Sequence, residues 1–339
     1  MQKEEINMKI DFVIPWVDGS DPAWRKEKYK YMGIDVPDAG DERYRDMGIL
    51  KYWFRAVEAY APWVNQIHFI TWGHLPEWMN TEHPKLHIVN HKDYIPKEYL
   101  PTFSSHPIEL NLHRIPGLSE HFVYFNDDMF LNSSVKPDFF FHRGKPCDFL
   151  RCAPVEIAKE NAVFAHTTIH SMVKVNYFYS YIKLFLRHPS KVVNRKYGLV
   201  ASMDNLLKLG NIHHYIGLKN HHLPNAYLKK TLQHVWDAMP DLLDQVSGNR
   251  FRTPFDVNQY IFRYWQLASG QFHPVSPASR GTYLNYSYSI DYVKATLNDP
   301  KVKMVCINDV PSDVDFEQAM EQIVAIFEKK LPNKSSFEK

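Results

Sequence analysis

Cysteine is scarce in this chain: three residues in 339, Cys147, Cys152 and Cys306, with no CxxC pair among them. An odd, unpaired set excludes a disulfide framework and reads as reduced thiols in a cytosolic protein. Long apolar runs are also missing, and none approaches the ~18 residues of a membrane span. The opening "MQKEEINMKIDFVIPW" lacks the apolar stretch of a secretory leader. These absences predict a soluble, cytoplasmic protein and leave open a peripheral place at the inner face of the plasma membrane. Net charge is only +2, so bulk attraction to nucleic acid is not expected. Eighteen histidines are scattered without HExxH or Cys/His metal spacing. There are no internal repeats and no low-complexity segments.

What is present is an alternation of short elements. "IDFVIPWV" (10–17) reads as a strand, 47–60 as a helix with apolar residues at helical spacing, and 66–71 and 85–91 as further strands. Serines at 104 and 105 suit a helix start, and Pro116-Gly117 closes that segment. "FVYF" (122–125) then reads as a buried strand. The pattern predicts an α/β class with a Rossmann-like sheet whose ligands lie at the carboxyl ends of its strands. Polar clusters fall at those ends: Trp16-Val17-Asp18-Gly19, Thr71-Trp72-Gly73 and Asn126-Asp127-Asp128. Three portions are expected: an α/β ligand-binding core over 1–150, a basic and aromatic insertion over 151–215, and a helical portion over 216–339 completing the site. The last residues, "PNKSSFEK", read as a frayed tail.

The stretch "FNDDMF" carries the chemistry. Two adjacent carboxylates resist burial unless a cation or hydrogen bonds compensate them. At a strand end they suit Mg²⁺ or Mn²⁺, which takes oxygen ligands and commonly a phosphate as well. Arg43, Arg45, Arg114 and Arg252 offer forks that fit phosphate oxygens. Glu109 and His113, four apart, would share a helix face. His222 has a pKa class suited to proton abstraction. Between Glu160 and Asp204 there is no acidic residue, while Lys174, Lys183, Arg187, Lys191, Arg195 and Lys196 lie there among aromatics. Such a stretch suits an anionic membrane surface or an acidic acceptor, or is a core helix with a solvated basic edge.

The order of these motifs resembles the Stealth family of sugar-1-phosphate transferases, which includes bacterial capsule and cell-surface polysaccharide enzymes and the animal enzyme that starts the mannose-6-phosphate tag. The first conserved region resembles 10–24, the second 43–78 with 100–131, the third 221–227 with 250–265, and the fourth "VCINDV" (305–310). The resemblance implies a GT-A-like fold and a phosphotransferase for substituted phosphate groups. A UDP-sugar binds, an acceptor hydroxyl attacks the β-phosphate and UMP leaves, with Mg²⁺ or Mn²⁺ as cofactor. The acceptor is an oligo- or polysaccharide, free or lipid-linked. By motif, Glu109, Asp128, His222 and Arg252 are the implied catalytic residues. Trp16, Asp18, Gly19, Arg43, Asp46, Arg114 and Asn126 are expected to bind substrate, and Asp127, Asp128, Asn308 and Asp309 metal. Met47 and Tyr44 depart from the family's "RFxDN", and Phe255 replaces the Glu usual before Asp256. Two alternatives stay open on residue chemistry: a metal-dependent glycosyltransferase releasing UDP, and a non-catalytic nucleotide-sugar-binding protein.

Overall fold

Strand β1 (Ile10–Pro15) is buried along nearly its whole length, and its side chains divide between two cores. Phe12 and Ile14 enter one apolar cluster and Val13 the other, as the two-residue period of a strand requires. A strand apolar on both faces belongs in the middle of a covered sheet. The computed structural model describes residues 8–32, 44–157, 162–211, 213–285, 287–308 and 315–339. Arg43 and Asp309 fall outside them.

After β1 come α1 (Pro22–Tyr31), α2 (Leu50–Tyr60), β2 (Ile67–Thr71), β3 (Leu86–Asn90), α3 (His91–Tyr94) and α4 (Ser105–Leu110). Strands β4 (His121–Tyr124) and β5 (Met129–Leu131), helix α5 (Pro137–Phe140) and strands β6 (Phe141–His142) and β7 (Lys145–Asp148) complete the first half. Helices α6 (Ala162–Phe178), α7 (Tyr181–Arg187), α8 (Pro189–Val192) and α9 (Leu199–Asn211) follow. Then come β8 (Asn225–Leu228), α10 (Lys229–Ala238), α11 (Pro240–Ser247), α12 (Tyr260–Ala268), β9 (His273–Pro274), β10 (Gly281–Asn285), α13 (Ile290–Asn298), β11 (Met304–Asn308) and α14 (Phe316–Lys330).

The main sheet runs β3-β2-β1-β4-β8, parallel except for β8, which is antiparallel to β4. The 3-2-1-4 order of the parallel strands is that of a Rossmann-like half, so the α/β expectation holds. One face packs on α2 and α14 through Phe12, Trp53, Phe125 and Phe327, and the other on α10 to α12 through Tyr124, Leu232 and Phe262. A second sheet, β10-β11-β5, joins the main one at Asp128.

Two expectations are corrected. The segment after Leu331 is anchored, not frayed: Phe337 is buried beside Phe54 and His83, and Arg55 donates to both carboxylate oxygens of Glu338 at 2.8 Å. An aromatic side chain and a bidentate ion pair hold it where composition alone suggested a loose end. Glu109 and His113 do not pair, because α4 stops at Leu110 and a 3₁₀ turn over 112–114 swings His113 against Trp236.

Candidate active site

Topology brings the site together. Because β8 runs antiparallel to β4 with Tyr124 opposite Asn225, the residues just before β8 lie beside those just after β4. His222 Nε2 therefore lies 3.3 Å from Asp128 Oδ2, across 94 residues of chain. The chain after β4 turns at Asp127-Asp128 but does not stop there. It passes through Asn126-Asp127-Asp128 directly into β5, which pairs with β11, and Ile307 N donates to the Asp128 carbonyl at 2.8 Å. That pairing places Cys306 Sγ 3.1 Å from Asp128 Oδ2, donating to it. Met129, Phe130 and Leu131 are buried because they form this second strand.

The electrostatics of the cluster favour a cation. Burial, with Asp128 and Asp46 nearby, pushes Asp127 up to about 7. Crowding by surrounding chain and the charge of Asp18 raise Asp46 as well. Burial works against charge on His222, yet Asp128, by charge and hydrogen bond, outweighs it and lifts the ring above its ordinary value. Burial and Asp128 together raise the Cys306 thiol, which keeps its proton. His222 itself sits at φ +41°, a left-handed conformation uncommon outside glycine and held here at the site.

The residues fit a metal ion. Asp128 Oδ1 is buried with no hydrogen-bond partner among the described residues. Ligand-capable atoms of Asp128, His222 and Cys306 lie within 4.8 Å of one another. A thiol that keeps its proton and donates to Asp128 is not a ligand, so this set offers a cation the Asp128 carboxylate and the His222 ring nitrogen. Asn308 ends β11 and hydrogen-bonds Tyr283, whose hydroxyl burial raises to about 12.

The other expected residues are distributed in layers. Glu109 is buried beneath the cluster, its carboxylate accepting from Tyr124 Oη at 3.3 Å and Gln259 N at 3.0 Å. Arg252 reaches Ser105 Oγ at 3.1 Å, at the start of α4. Trp16 is buried against Phe69 and His74, and Asp18 caps its own turn by accepting from Ser20. Gly19 lies so close to the Tyr44 backbone that an added Cβ would fall 2.0 Å from its carbonyl oxygen. Asn126 accepts from Met129 N in the turn that aims Asp128. Arg114 is not brought to the cluster: its guanidinium stacks on Trp236 at 4.7 Å, beyond the far end of α4. Arg45 stacks on Phe316.

Residue reading missed Cys306, whose setting in "MVCIN" looks like any core strand. It noted Asp256 by motif but gave it no role; fully buried, it accepts from His106 Nδ1 (2.8 Å), Thr253 N (3.0 Å), Thr253 Oγ1 (2.7 Å) and Asn249 Nδ2 (2.8 Å). This knot ties the loop carrying Arg252 to α4.

Comparison with known proteins matches residues 8–35 to the Stealth protein CR1, conserved region 1, and residues 43–148 to the Stealth protein CR2, conserved region 2. The capsular polysaccharide phosphotransferase WcwK of Streptococcus pneumoniae is 43% identical over 334 residues, covering 97% of this chain and 99% of that one. The receptor polysaccharide phosphotransferase WefC of Streptococcus gordonii is 40% identical over 335 residues, with 97% and 99% covered. Among solved structures, the galactosyltransferase LgtC in complex with donor and acceptor sugar analogs is 12% identical, with a TM-score of 0.39 over 93% of this chain and 95% of that one.

Proposed function

The chain belongs to the Stealth protein family, and from that premise we propose that it transfers a sugar-1-phosphate from a UDP-sugar to a hydroxyl of a saccharide acceptor in cell-surface polysaccharide synthesis. The observation that carries this reading is the meeting of His222 with Asp128 at the carboxyl end of the sheet. The acceptor oxygen attacks the β-phosphorus and forms a new P–O bond. The bond from that phosphorus to the bridging oxygen breaks, and UMP departs with that oxygen.

His222, oriented through Nε2 by Asp128, accepts the acceptor hydroxyl's proton on its other ring nitrogen. Arg252 balances charge on the transferring phosphoryl group. Glu109 holds Tyr124 and the start of α12, and so positions the strand end that bears the acids. Trp16, Asp18, Gly19 and Asp46 form the wall next to the nucleotide. Asp128, with Asp127, Asn308 and Asp309, would hold a divalent cation, which neutralises diphosphate charge when bound. The donor is a cytoplasmic nucleotide sugar, and the acceptor is an oligo- or polysaccharide, free or lipid-linked.

The test is to incubate the purified protein with Mg²⁺ or Mn²⁺, a panel of UDP-hexoses and a saccharide acceptor, and to identify the nucleotide released. UMP is expected. UDP would make the protein a glycosyltransferase, and donor binding without any release would make it a binding protein.

A further inference from the structure

Helix α9 is inside out. Its inward residues include Ser202 and Asn205, and its outward face carries Leu199, Val200, Met203, Leu206 and Leu207, between 47% and 79% exposed. Water sorts a surface helix the other way, with apolar residues inward. The inward polar residues are not misplaced. The Asn205 side chain accepts from Cys152 N and donates to the carbonyls of Leu150 and Val192, all at 2.9 Å, while Ser202 Oγ donates to the Asn194 carbonyl at 2.9 Å. These bonds fix which side of α9 faces the protein. Five large apolar side chains on one outward face then need a cover, since scattered single residues are ordinary but a contiguous patch marks an interaction surface.

Charge identifies the cover. Of the bases in the acid-free stretch between Glu160 and Asp204, Lys191 turns inward to the Phe272 carbonyl, while Arg195 and Lys196 stand exposed one turn ahead of Leu199, Lys196 with its Nζ 3.0 Å from His273 Nε2. Asp204, on the flank of α9, is neutralised by Lys208 at 2.7 Å. A second copy of this face would set positive against positive. A soluble polyanion would satisfy the bases but leave the leucines in water. An anionic lipid surface satisfies both. Thirteen residues of helix reach only about 20 Å, too short to span a bilayer but long enough to lie along one.

We propose that the outward face of α9, with Arg195 and Lys196 at its head, seats this protein on an anionic membrane surface. This does not depend on the reaction proposed above.

The test is cosedimentation with phosphatidylcholine vesicles and with mixed phosphatidylcholine–phosphatidylglycerol vesicles. The wild-type protein is expected to bind the mixed vesicles, less so as salt rises, and the neutral ones much more weakly. L199S/L207S should bind about a hundredfold more weakly, at roughly tenfold per buried leucine. R195Q/K196Q should lose about fivefold per base on mixed vesicles only. Both variants should melt as wild type does and release the same nucleotide with a soluble acceptor. The proposal is overturned if wild type binds no vesicle, or if both variants bind as wild type does. It is overturned equally if wild type forms a dimer on size exclusion that L199S/L207S disperses.

Discussion

Replacing Asp256 with Asn separates what the buried knot does for the fold from what it does for the site. Asn keeps an acceptor for Asn249 and Thr253 Oγ1, but sets an NH₂ group against the ring and backbone donors of His106 and Thr253. Two bonds to a charged acceptor, each worth about 1.5–3 kcal/mol, are lost. The sum agrees with the about 3–5 kcal/mol typical of breaking a buried ion pair from one side. For a chain of this size we expect a fall in melting temperature of roughly 4–7 °C. Burial alone would raise the Asp256 carboxyl, but the bonds from His106 and Thr253 hold it below the usual aspartate range. Its contribution is therefore present above the ordinary aspartate pKa of about 3.9 and is lost as pH falls through the lower folded value, so wild type and D256N should converge in acid. Arg252 adjoins Thr253, so turnover should fall up to about a hundredfold as the loop loosens. Thermal melts between pH 3 and 8 and initial rates of nucleotide release read both effects. A D256N protein that melts like wild type at neutral pH refutes the energetic argument. One that melts lower but turns over normally refutes the positioning of Arg252.

Three further outcomes can be checked directly. E338Q removes the charge facing buried Arg55 and should cost about 3 kcal/mol at pH 7; the Glu338 carboxyl is held low by Arg55 against the cost of burial, so the difference in melting temperature should shrink below pH 4. G19A drives a methyl group into the Tyr44 backbone and should cost about 1–3 kcal/mol with weaker donor binding, measured by melting and calorimetric titration. D128N should abolish nucleotide release while its circular dichroism stays that of wild type, and unfolding instead would make Asp128 structural.

Much of the first half was legible in the chain because local patterns dictate it. The runs ending at Pro15, Thr71 and Tyr124 are apolar enough to be strands buried on both sides, the one ending at Asn90 is a half-buried edge strand, and 50–60 has a helical period. What local pattern could not reveal depends on pairing across long distances. Strand β5 is three residues, and only β11 makes it a strand. Cys306 meets Asp128 across 178 residues, and His106 meets Asp256 across 150. The nearness of His222 to Asp128 was implied by family resemblance, and the antiparallel docking of β8 supplies its physical cause. Arg114 looked like a phosphate ligand because an exposed arginine carries no mark of which end of a helix it serves. The outward face of α9 was hidden by its composition, since leucines at helical spacing ordinarily point inward.

The way the last residues return to helix α2 also governs how this protein can be made. Strand β8, strand β11 and the Phe337–Glu338 clasp all leave the ribosome after the strands and helix they complete. The early sheet therefore emerges with β4 as an open edge and with Arg55 unpaired, and must wait for more than a hundred residues of synthesis before either is covered. A growing chain in that state presents a hydrophobic edge to its neighbours. Yield should respond more to chaperone supply and to slower translation than the stability of the finished molecule would suggest.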